Sequence, residues 1–346
     1  MRHNIVQIIM FIICCMWCIT SCSSDSSDEL AVNNGSEMSF DIANESRAST
    51  ALIDEFTVYG DRKFNSNDEP AVIFDKTQVV NRDGVWFYNN IQHWYPSHEH
   101  SFVAISPSSA LESDANPQYS ASVLSFTYSL PTYSGKEMKD RQDKNELNDI
   151  VAATHRRLYK TADNINTISL SFVHLLSMIN FAPCFEDKNL KEDKFLQFHK
   201  LELIGFKHKM KVTIAPAPLL SNQLTYDNVI ELADREGEDF MTITFEEPKT
   251  VNNGERINLF DESDAIIMLP QTFSNNPEAK VRFTYTLSSD PDNMRQGTIS
   301  LKDITWEQGK TYTYNFTIDK IGLNLGTTTI KAWDSKSIPD IEWKVE

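Results

Sequence analysis

Apolar and polar residues alternate along most of this chain in short runs, and Asn, Asp, Gly, Ser and Pro separate the runs. A period of two places every second side chain on one face of an extended strand, whereas a helix shows a period near 3.6. The pattern therefore predicts strands rather than helices. Clear examples are Met38, Phe40 and Ile42; Ile168, Leu170 and Phe172; Val281, Phe283, Tyr285 and Leu287; and Tyr312, Tyr314, Phe316 and Ile318.

Two segments depart from this alternation. We expect residues 49–54 to form a brief helix and the polar residues 137–154 to form a loop with a helical turn. Since strands do not alternate with helices elsewhere, the pattern predicts an all-β fold of two tandem antiparallel β-sandwiches. We place the boundary in the polar turn at residues 162–166, which gives an N-terminal domain of residues 36–163 and a C-terminal domain of residues 164–346.

The N-terminus has the order of a secretory signal, and we assign residues 1–21 to a cleaved signal peptide. A charged start precedes an apolar run at residues 5–19, which is shorter than the roughly 20 residues that a membrane-spanning helix needs. The residues directly before Cys22 resemble a lipobox, so Cys22 is expected to be the lipidated first residue of the mature protein. Residues 22–35 are rich in serine and acidic residues, and we expect a flexible linker.

Charge and cysteine content narrow the function classes. The net charge of −17 and the lack of a basic block argue against nucleic acid as a partner. Of the five cysteines, only Cys184 lies beyond the signal segment and Cys22, so no internal disulfide is expected. The mature chain must therefore be stabilised by its apolar cores.

Motifs for catalysis or cofactor binding are not found. The Gly309-Lys310-Thr311 segment lacks the earlier glycine of a phosphate loop, because residue 304 is Ile. Residues 93–100 contain three histidines and one glutamate but no defined zinc-ligand spacing, and we expect a surface turn there. The sequence therefore predicts neither an enzyme nor a cofactor or metal site.

The aromatic residues leave one alternative function open. Most tryptophans and tyrosines lie within alternating runs and are expected in the cores. Trp94 and Tyr95 stand beside Pro96 and are the best candidates for exposed rings that stack on sugars. The alternative is thus a monomeric, lipid-anchored surface protein that binds glycans.

Several short segments follow one another in the order seen in a known family. They are Ser39-Phe40-Asp41, Phe56-Thr57-Val58-Tyr59-Gly60, Val85-Trp86-Phe87-Tyr88, Trp94-Tyr95-Pro96, Ser101 to Pro107, Asp149 to Ala153, Ile168 to Leu176, Ile267 to Gln271, Trp306 to Tyr314, and Ile330 to Trp333. In this order they resemble the fimbrillin family, in its Mfa-like branch, over most of residues 38–334. Asp149-Ile150-Val151 departs from the Asp-Leu-Leu often found there, and the tail beyond Trp333 is an addition.

The resemblance implies a pilus-subunit lipoprotein of anaerobic Gram-negative bacteria with two transthyretin-like β-sandwich domains. Export would run through the periplasm to the outer membrane and the cell surface, with outer-membrane lipid bound through Cys22. Partners would be other fimbrillin subunits in a homo- or hetero-polymer. Host or bacterial surface glycans or proteins are further candidates, and shaft, tip and anchor roles stay open.

Fimbrillins are thought to assemble by exchanging a strand after proteolysis, and the resemblance assigns candidate residues to that process. Met38, Phe40 and Ile42 would form the strand that fills the groove before cleavage. Arg47 is the only Arg or Lys between residues 22 and 61, so a shaft subunit is expected to be cut at Arg47-Ala48 by a trypsin-like protease. The alternative is a permanent strand followed by an exposed charge.

The C-terminal tail at residues 338–346 is the candidate donor strand. Its alternation would turn Ile341, Trp343 and Val345 into a partner's groove while Glu342 and Lys344 face water. The alternative is that the tail pairs with its own C-terminal domain as an ordinary last strand.

Overall fold

A computed structural model describes residues 36–43, 53–112, 115–130, 137–139, 149–160, 166–187, 193–216, 230–236, 239–260, 265–319 and 322–333. Within these residues the chain forms twenty-three β-strands in six sheets, with one 3-10 turn at Ser108–Leu111. The predicted all-β fold is confirmed. In the described part of the chain, no helix has the length and apolar character needed to cross a membrane.

The N-terminal part is built on a six-stranded sheet that a two-stranded sheet covers on one face. The strand order of the large sheet is β11-β9-β5-β2-β3-β4, and the small sheet pairs β1 with β10. The bounds are β1 (Ser39–Ile42), β2 (Glu55–Lys63), β3 (Ala71–Arg82), β4 (Val85–Tyr88), β5 (Glu99–Ser106), β9 (Val151–Leu158), β10 (Thr167–Leu170) and β11 (Val173–His174).

The remaining strands form four sheets, ordered β15-β14-β7-β6, β20-β19-β13-β16-β8, β17-β12-β22-β23 and β18-β21. The bounds are β6 (Gln118–Ser120), β7 (Val123–Ser129), β8 (Glu137–Lys139), β12 (Ser177–Phe185), β13 (Phe195–Phe206), β14 (Lys209–Ile214), β15 (Ile230–Glu236), β16 (Asp239–Asn252), β17 (Ile266–Met268), β18 (Gln271–Thr272), β19 (Lys280–Leu287), β20 (Asp290–Ser300), β21 (Thr305–Trp306), β22 (Lys310–Ile318) and β23 (Leu323–Ala332).

Two apolar cores hold these layers together. In the larger core, Phe283 of β19 lies among three other rings, with centroids 5.3 Å from Phe181, 5.7 Å from Phe198 and 4.8 Å from Phe316. These rings join the five-stranded sheet to the sheet that contains β12 and β22. The smaller core lies between the six-stranded sheet and the β1–β10 pair. The four alternating apolar sets named above, at residues 38–42, 168–172, 281–287 and 312–318, are all buried.

The helical expectation for residues 137–154 is wrong where the structure describes them. Glu137–Lys139 is the strand β8, and Val151 begins β9 inside the six-stranded sheet. Val151, Ala152 and Ala153 are all buried, so this strand shows a continuous apolar run instead of alternation. Of residues 49–54, only Ile53 and Asp54 are described, and neither is helical.

Strands from both sides of residue 163 share sheets. β7 pairs with β14, with Phe126 opposite Val212, and β1 pairs with β10, with Phe40 opposite Ile168. The boundary at residues 163 and 164 stays a prediction. Backbone pairing across it means that folding of either side draws on strands from the other.

We expect Phe283→Ala to lower the free energy of unfolding by about 3–5 kcal/mol, because it empties the centre of a close-packed aromatic cluster. The exposed Met294→Ala on the neighbouring β20 should change it by no more than about 0.5 kcal/mol. Urea unfolding followed by circular dichroism measures both. Equal effects for the two variants would contradict the assigned core.

Candidate functional site

The first strand lies at a margin of the fold. β1 runs parallel to β10, with the Ser39 N–H donating to the Asn166 carbonyl at 3.1 Å and the Ala43 N–H donating to the Leu170 carbonyl at 2.9 Å. Among the described strands, β10 is its sole ladder partner. The Ile42 N–H, which faces the opposite edge, donates to the side chain of Asp41 at 2.9 Å. A side chain therefore satisfies this donor, and no ladder partner lies on that side of Ile42 among the described strands.

Among the described residues, the opposite edge has backbone partners only near the start of this segment. The Met38 N–H donates to the Gln92 carbonyl at 2.8 Å, and the Trp94 N–H donates to the Ser36 carbonyl at 3.0 Å. The Tyr88 hydroxyl donates to the Met38 carbonyl at 2.8 Å. The segment is therefore held firmly at its beginning and along one side.

Three apolar side chains of this segment enter the smaller core. Met38, Phe40 and Ile42 are 3%, 5% and 9% exposed, whereas Ser39 and Asp41 face water. The Phe40 ring meets Phe56, Phe74 and Tyr88 edge-on, with centroid distances of 5.6, 5.5 and 5.4 Å. We call the space enclosed by Phe56, Phe74 and Tyr88 the Phe40 pocket. It is the centre of the groove that β1 fills.

Two side chains hold β10 from outside the β1 ladder. The Trp94 Nε1–H donates to the Asn166 carbonyl at 2.9 Å, and the His155 Nδ1–H donates to the Ser169 carbonyl at 3.1 Å. The roles follow because a carbonyl oxygen can only accept. One contact lies just before β10 and the other lies within it. β10 is therefore held by β9 of the large sheet and by the segment that precedes β5, through bonds that do not involve β1.

The expectation that Trp94 is exposed is wrong. Its side chain is 0% exposed and stacks on Tyr159 with a centroid distance of 5.1 Å. The indole closes one end of the smaller core while its N–H finds a backbone carbonyl, which is the usual reason for a tryptophan to be buried. Tyr95 is partly exposed, and the Arg62 guanidinium carbon lies 3.3 Å from its ring centroid. The pair therefore does not form a sugar-stacking platform.

The histidines of residues 93–100 have a structural role at His100. This side chain is buried, with its Nδ1–H donating to the His98 carbonyl at 3.1 Å and its Nε2 accepting from the Tyr95 N–H at 3.3 Å. Burial lowers the pKa of His100 to about 3, so the ring is neutral at pH 7. In the part of the chain that is described, no three His, Cys, Asp or Glu side chains converge as metal ligands.

The other predicted site residues lie outside the described residues. Cys22 precedes them, Arg47 and Ala48 fall between Ala43 and Ile53, and Ile341, Trp343 and Val345 follow Trp333. Their roles stay predictions. By chain order, a cut at Arg47-Ala48 would separate β1 from β2 and so from the rest of the fold. Trp333, the last described residue, stacks on His174 with ring centroids 3.9 Å apart.

The sequence did not reveal the walls of the groove. Phe56 belongs to an alternating run, but nothing local indicates that Phe74 and Tyr88 meet it around one ring. The sequence also contains no local pattern that identifies Trp94 and His155 as hydrogen-bond donors to the β10 segment. Both contacts join residues that are far apart in the chain.

The comparisons decide the family. The model of the fimbrillin-like family matches residues 46–333. This chain belongs to the fimbrillin-like family. The match covers most of the chain and confirms the resemblance seen in the sequence. No curated protein sequence matches it.

One solved structure supports the fold of this fimbrillin-like chain. A fimbrial protein from Bacteroides vulgatus is 15% identical, with a TM-score of 0.57 over 86% of this chain and 99% of that chain. A Bacteroides uniformis protein named for cell adhesion is 11% identical (TM-score 0.45; 89% and 100% covered). A fimbrial assembly protein from Parabacteroides distasonis is 8% identical (TM-score 0.38; 89% and 99% covered). The first likeness shows a shared fold, and the other two scores are too low to add to it.

The fimbrillin-like chain should lose stability as the pH falls below about 6.5. Above that pH, His100 is neutral in both the folded and the unfolded state, and its contribution is complete. Below it, the unfolded chain binds a proton that the buried ring does not, since the folded pKa is about 3. The free energy of unfolding therefore falls by about 1.4 kcal/mol for each pH unit below 6.5. Burial also lowers the pKa of His155, to about 4, so His155 adds to this loss of stability over the same pH range.

Urea unfolding at pH 7 and pH 4.5 measures how the free energy of unfolding depends on pH. His100→Gln, which has no titrating ring, should reduce this dependence by about 1.4 kcal/mol per pH unit relative to the unsubstituted chain. An unchanged slope in this variant would contradict the assignment of His100 as a buried neutral ring.

Proposed function

We propose that this chain is a subunit of surface pili and that it assembles by exchange of its first strand. The observation that carries the proposal is the placement of β1, which fills the centre of an apolar core but has a ladder with β10 alone among the described strands. A sheet edge of this kind accepts a strand from another chain once the original strand leaves. The role is structural and adhesive rather than enzymatic, in keeping with the family.

The route to the surface is part of the same proposal. Signal cleavage before Cys22 and lipidation of its thiol would hold the precursor at the outer membrane, and the body would then be exported to the cell surface. A protease cut at Arg47-Ala48 would leave the lipidated piece in the membrane and free the body for assembly. This sequence of events describes a shaft subunit, while tip and anchor roles remain the other assignments.

In this proposal a single cut releases β1, because covalent attachment is what favours β1 over a competing strand. Burying Met38, Phe40 and Ile42 stabilises the closed form by roughly 1.5–3 kcal/mol for each side chain. Ordering each residue of the strand costs about 1–2 kcal/mol. While β1 is attached, it is present at an effective concentration of about a millimolar or more. Cleavage removes that advantage, so a strand presented by a neighbour can displace it.

The donor in this proposal is the tail of a neighbouring copy or of another fimbrillin. Ile341, Trp343 and Val345 alternate as Met38, Phe40 and Ile42 do, and can supply three apolar side chains to one face. The glycan-binding alternative is not supported by the burial of Trp94, on which it depended. Glycans or proteins of a host or of other bacteria stay candidate partners for the assembled pilus.

Replacing the basic residue at the cut tests the proposal. Mature chain treated with a trypsin-like protease should start at Ala48 and form heat-resistant ladders on a denaturing gel, whereas Arg47→Ala should keep its lipidated N-terminus and stay monomeric. Arg82→Ala, which removes an exposed arginine at the end of β3, should be processed like the unsubstituted chain. Mass spectrometry of the N-terminal peptide identifies the first residue of each product and whether it carries lipid. Filaments whose subunits keep an intact lipidated N-terminus would defeat the proposal.

A further inference from the structure

We propose that a binding site for a carboxylate-bearing sugar lies at the end of the smaller core that Trp94 closes, and that Arg62 holds the carboxylate. We call the surface formed by Arg62, Phe64, Tyr95 and His98 the Arg62 site. The proposal rests on the adhesive role proposed above and names a class of ligand for it. It does not depend on the movement of β1.

Arg62 and Arg157 stand in one row across three neighbouring strands. Arg62 on β2 is opposite His100 on β5, and His100 is opposite Arg157 on β9. Residues directly opposite each other in an antiparallel ladder point to the same face of the sheet, so the two arginines flank His100. Burial is the main cause of the low pKa of His100, and the positive charges of Arg62 and Arg157 lower that pKa further. His100 is therefore neutral, and the arginines carry the charge of this row.

The Arg62 guanidinium has no anionic partner among the described residues. Its central carbon lies 3.3 Å from the centroid of the Tyr95 ring, so the cation is held against an aromatic face. The Arg62 Nε atom is buried and has no hydrogen-bond acceptor there. Native structures rarely leave a buried donor in this state. Since a guanidinium presents its N–H groups in a fork that matches a carboxylate, a carboxylate is the group that Arg62 is suited to bind.

The acidic residues next to this row, Asp61 and Glu99, face the other side of the sheet. Glu99 accepts a hydrogen bond from the Arg156 Nε–H at 2.7 Å and lies 3.4 Å from the Lys63 ammonium group. The Asp61 carboxylate accepts hydrogen bonds from two hydroxyl groups of the β6–β7 hairpin, each at 2.9 Å. Both acids are thus engaged elsewhere. Arg62 keeps a positive charge without a counter-charge among the described residues, on a chain whose net charge is −17.

An exposed ring beside Arg62 favours a sugar over a bare anion. Phe64 follows β2 directly, and its side chain is 57% exposed. The Phe64 ring lies 5.3 Å from the His98 ring, which in turn lies 5.8 Å from the Tyr95 ring, so these rings form one continuous surface. The apolar face of a sugar ring can pack on Phe64 while the carboxylate of the same sugar reaches Arg62. Inorganic phosphate or sulfate would use the arginine alone.

Binding of sugars to the full mature chain, before cleavage at Arg47, tests the site. An array of oligosaccharides that contain uronic or sialic acids, each beside its methyl ester, identifies the ligand, and calorimetry measures its Kd. The ester keeps the sugar ring but removes the negative charge. We expect the acid to bind and the ester to bind at least about tenfold more weakly, because the ester cannot form an ion pair with Arg62.

Substitutions assign the binding to Arg62 and Phe64. Arg62→Gln should weaken binding of the acid at least about tenfold, and Arg62→Lys, which keeps the charge without the fork, should bind with intermediate affinity. Phe64→Ala should also weaken binding of the sugar acid. Arg82→Gln, which removes an exposed arginine that lies over Phe87 in the same sheet, should bind like the unsubstituted chain. Urea unfolding of each variant separates loss of the site from loss of the fold.

Equal binding of acid and ester, no binding of any acidic sugar at millimolar concentration, or unchanged binding by folded Arg62→Gln would overturn the site. Displacement of the sugar by an equal concentration of inorganic phosphate or sulfate would also overturn it, because the site would then not select a sugar. These measurements use the uncleaved monomer, so their failure leaves strand exchange intact. Failure of the cleaved chain to form ladders would instead count against the proposed function and not against the Arg62 site.

Discussion

The one-sided pairing of β1 governs how the smaller core is closed. The strand supplies the middle of the smaller core, yet its backbone ladder extends to β10 alone among the described strands. Burial of its apolar side chains stabilises β1 in this position. The edge that has no ladder among the described strands is where another strand would pair. The strand exchange proposed above needs both properties, because a strand inside a sheet would not leave and an unburied strand would leave no groove behind.

Several contacts around β1 join other parts of the fold without involving β1 itself. The indole of Trp94 and the ring of His155 bond to carbonyls next to and within β10, and the rings of the pocket pack on one another. The buried His100 connects the Tyr95 backbone to the His98 carbonyl and so fixes the turn that also holds Ser36. The same turn therefore retains the start of the segment and closes one end of the groove.

The sequence predicted what depends on local periodicity. The alternation of Met38, Phe40 and Ile42 indicated a strand with one buried face, and the same reasoning held for β19 and β22. It failed at β9, where Val151 to Ala153 are buried on both faces and alternation disappears. It also failed at Trp94, because a Trp-Tyr-Pro segment looks like an exposed turn until the distant Tyr159 and Asn166 are placed against it. Contacts between residues far apart in the chain, such as the three rings around Phe40, leave no periodic signal.

A reversible lock on β1 is the most direct measurement of whether the strand must leave. Ser39 and Thr167 face each other across the parallel pair, with side-chain oxygens 3.0 Å apart on the exposed side. With cysteine at both positions, the oxidised chain should be cut at Arg47 but remain monomeric and keep the β1 peptide attached, and reduction should restore ladder formation. The single substitutions Ser39→Cys and Thr167→Cys should assemble normally in either condition. Ladders formed by the oxidised, cross-linked chain at the rate of the unsubstituted chain would contradict strand exchange at this groove.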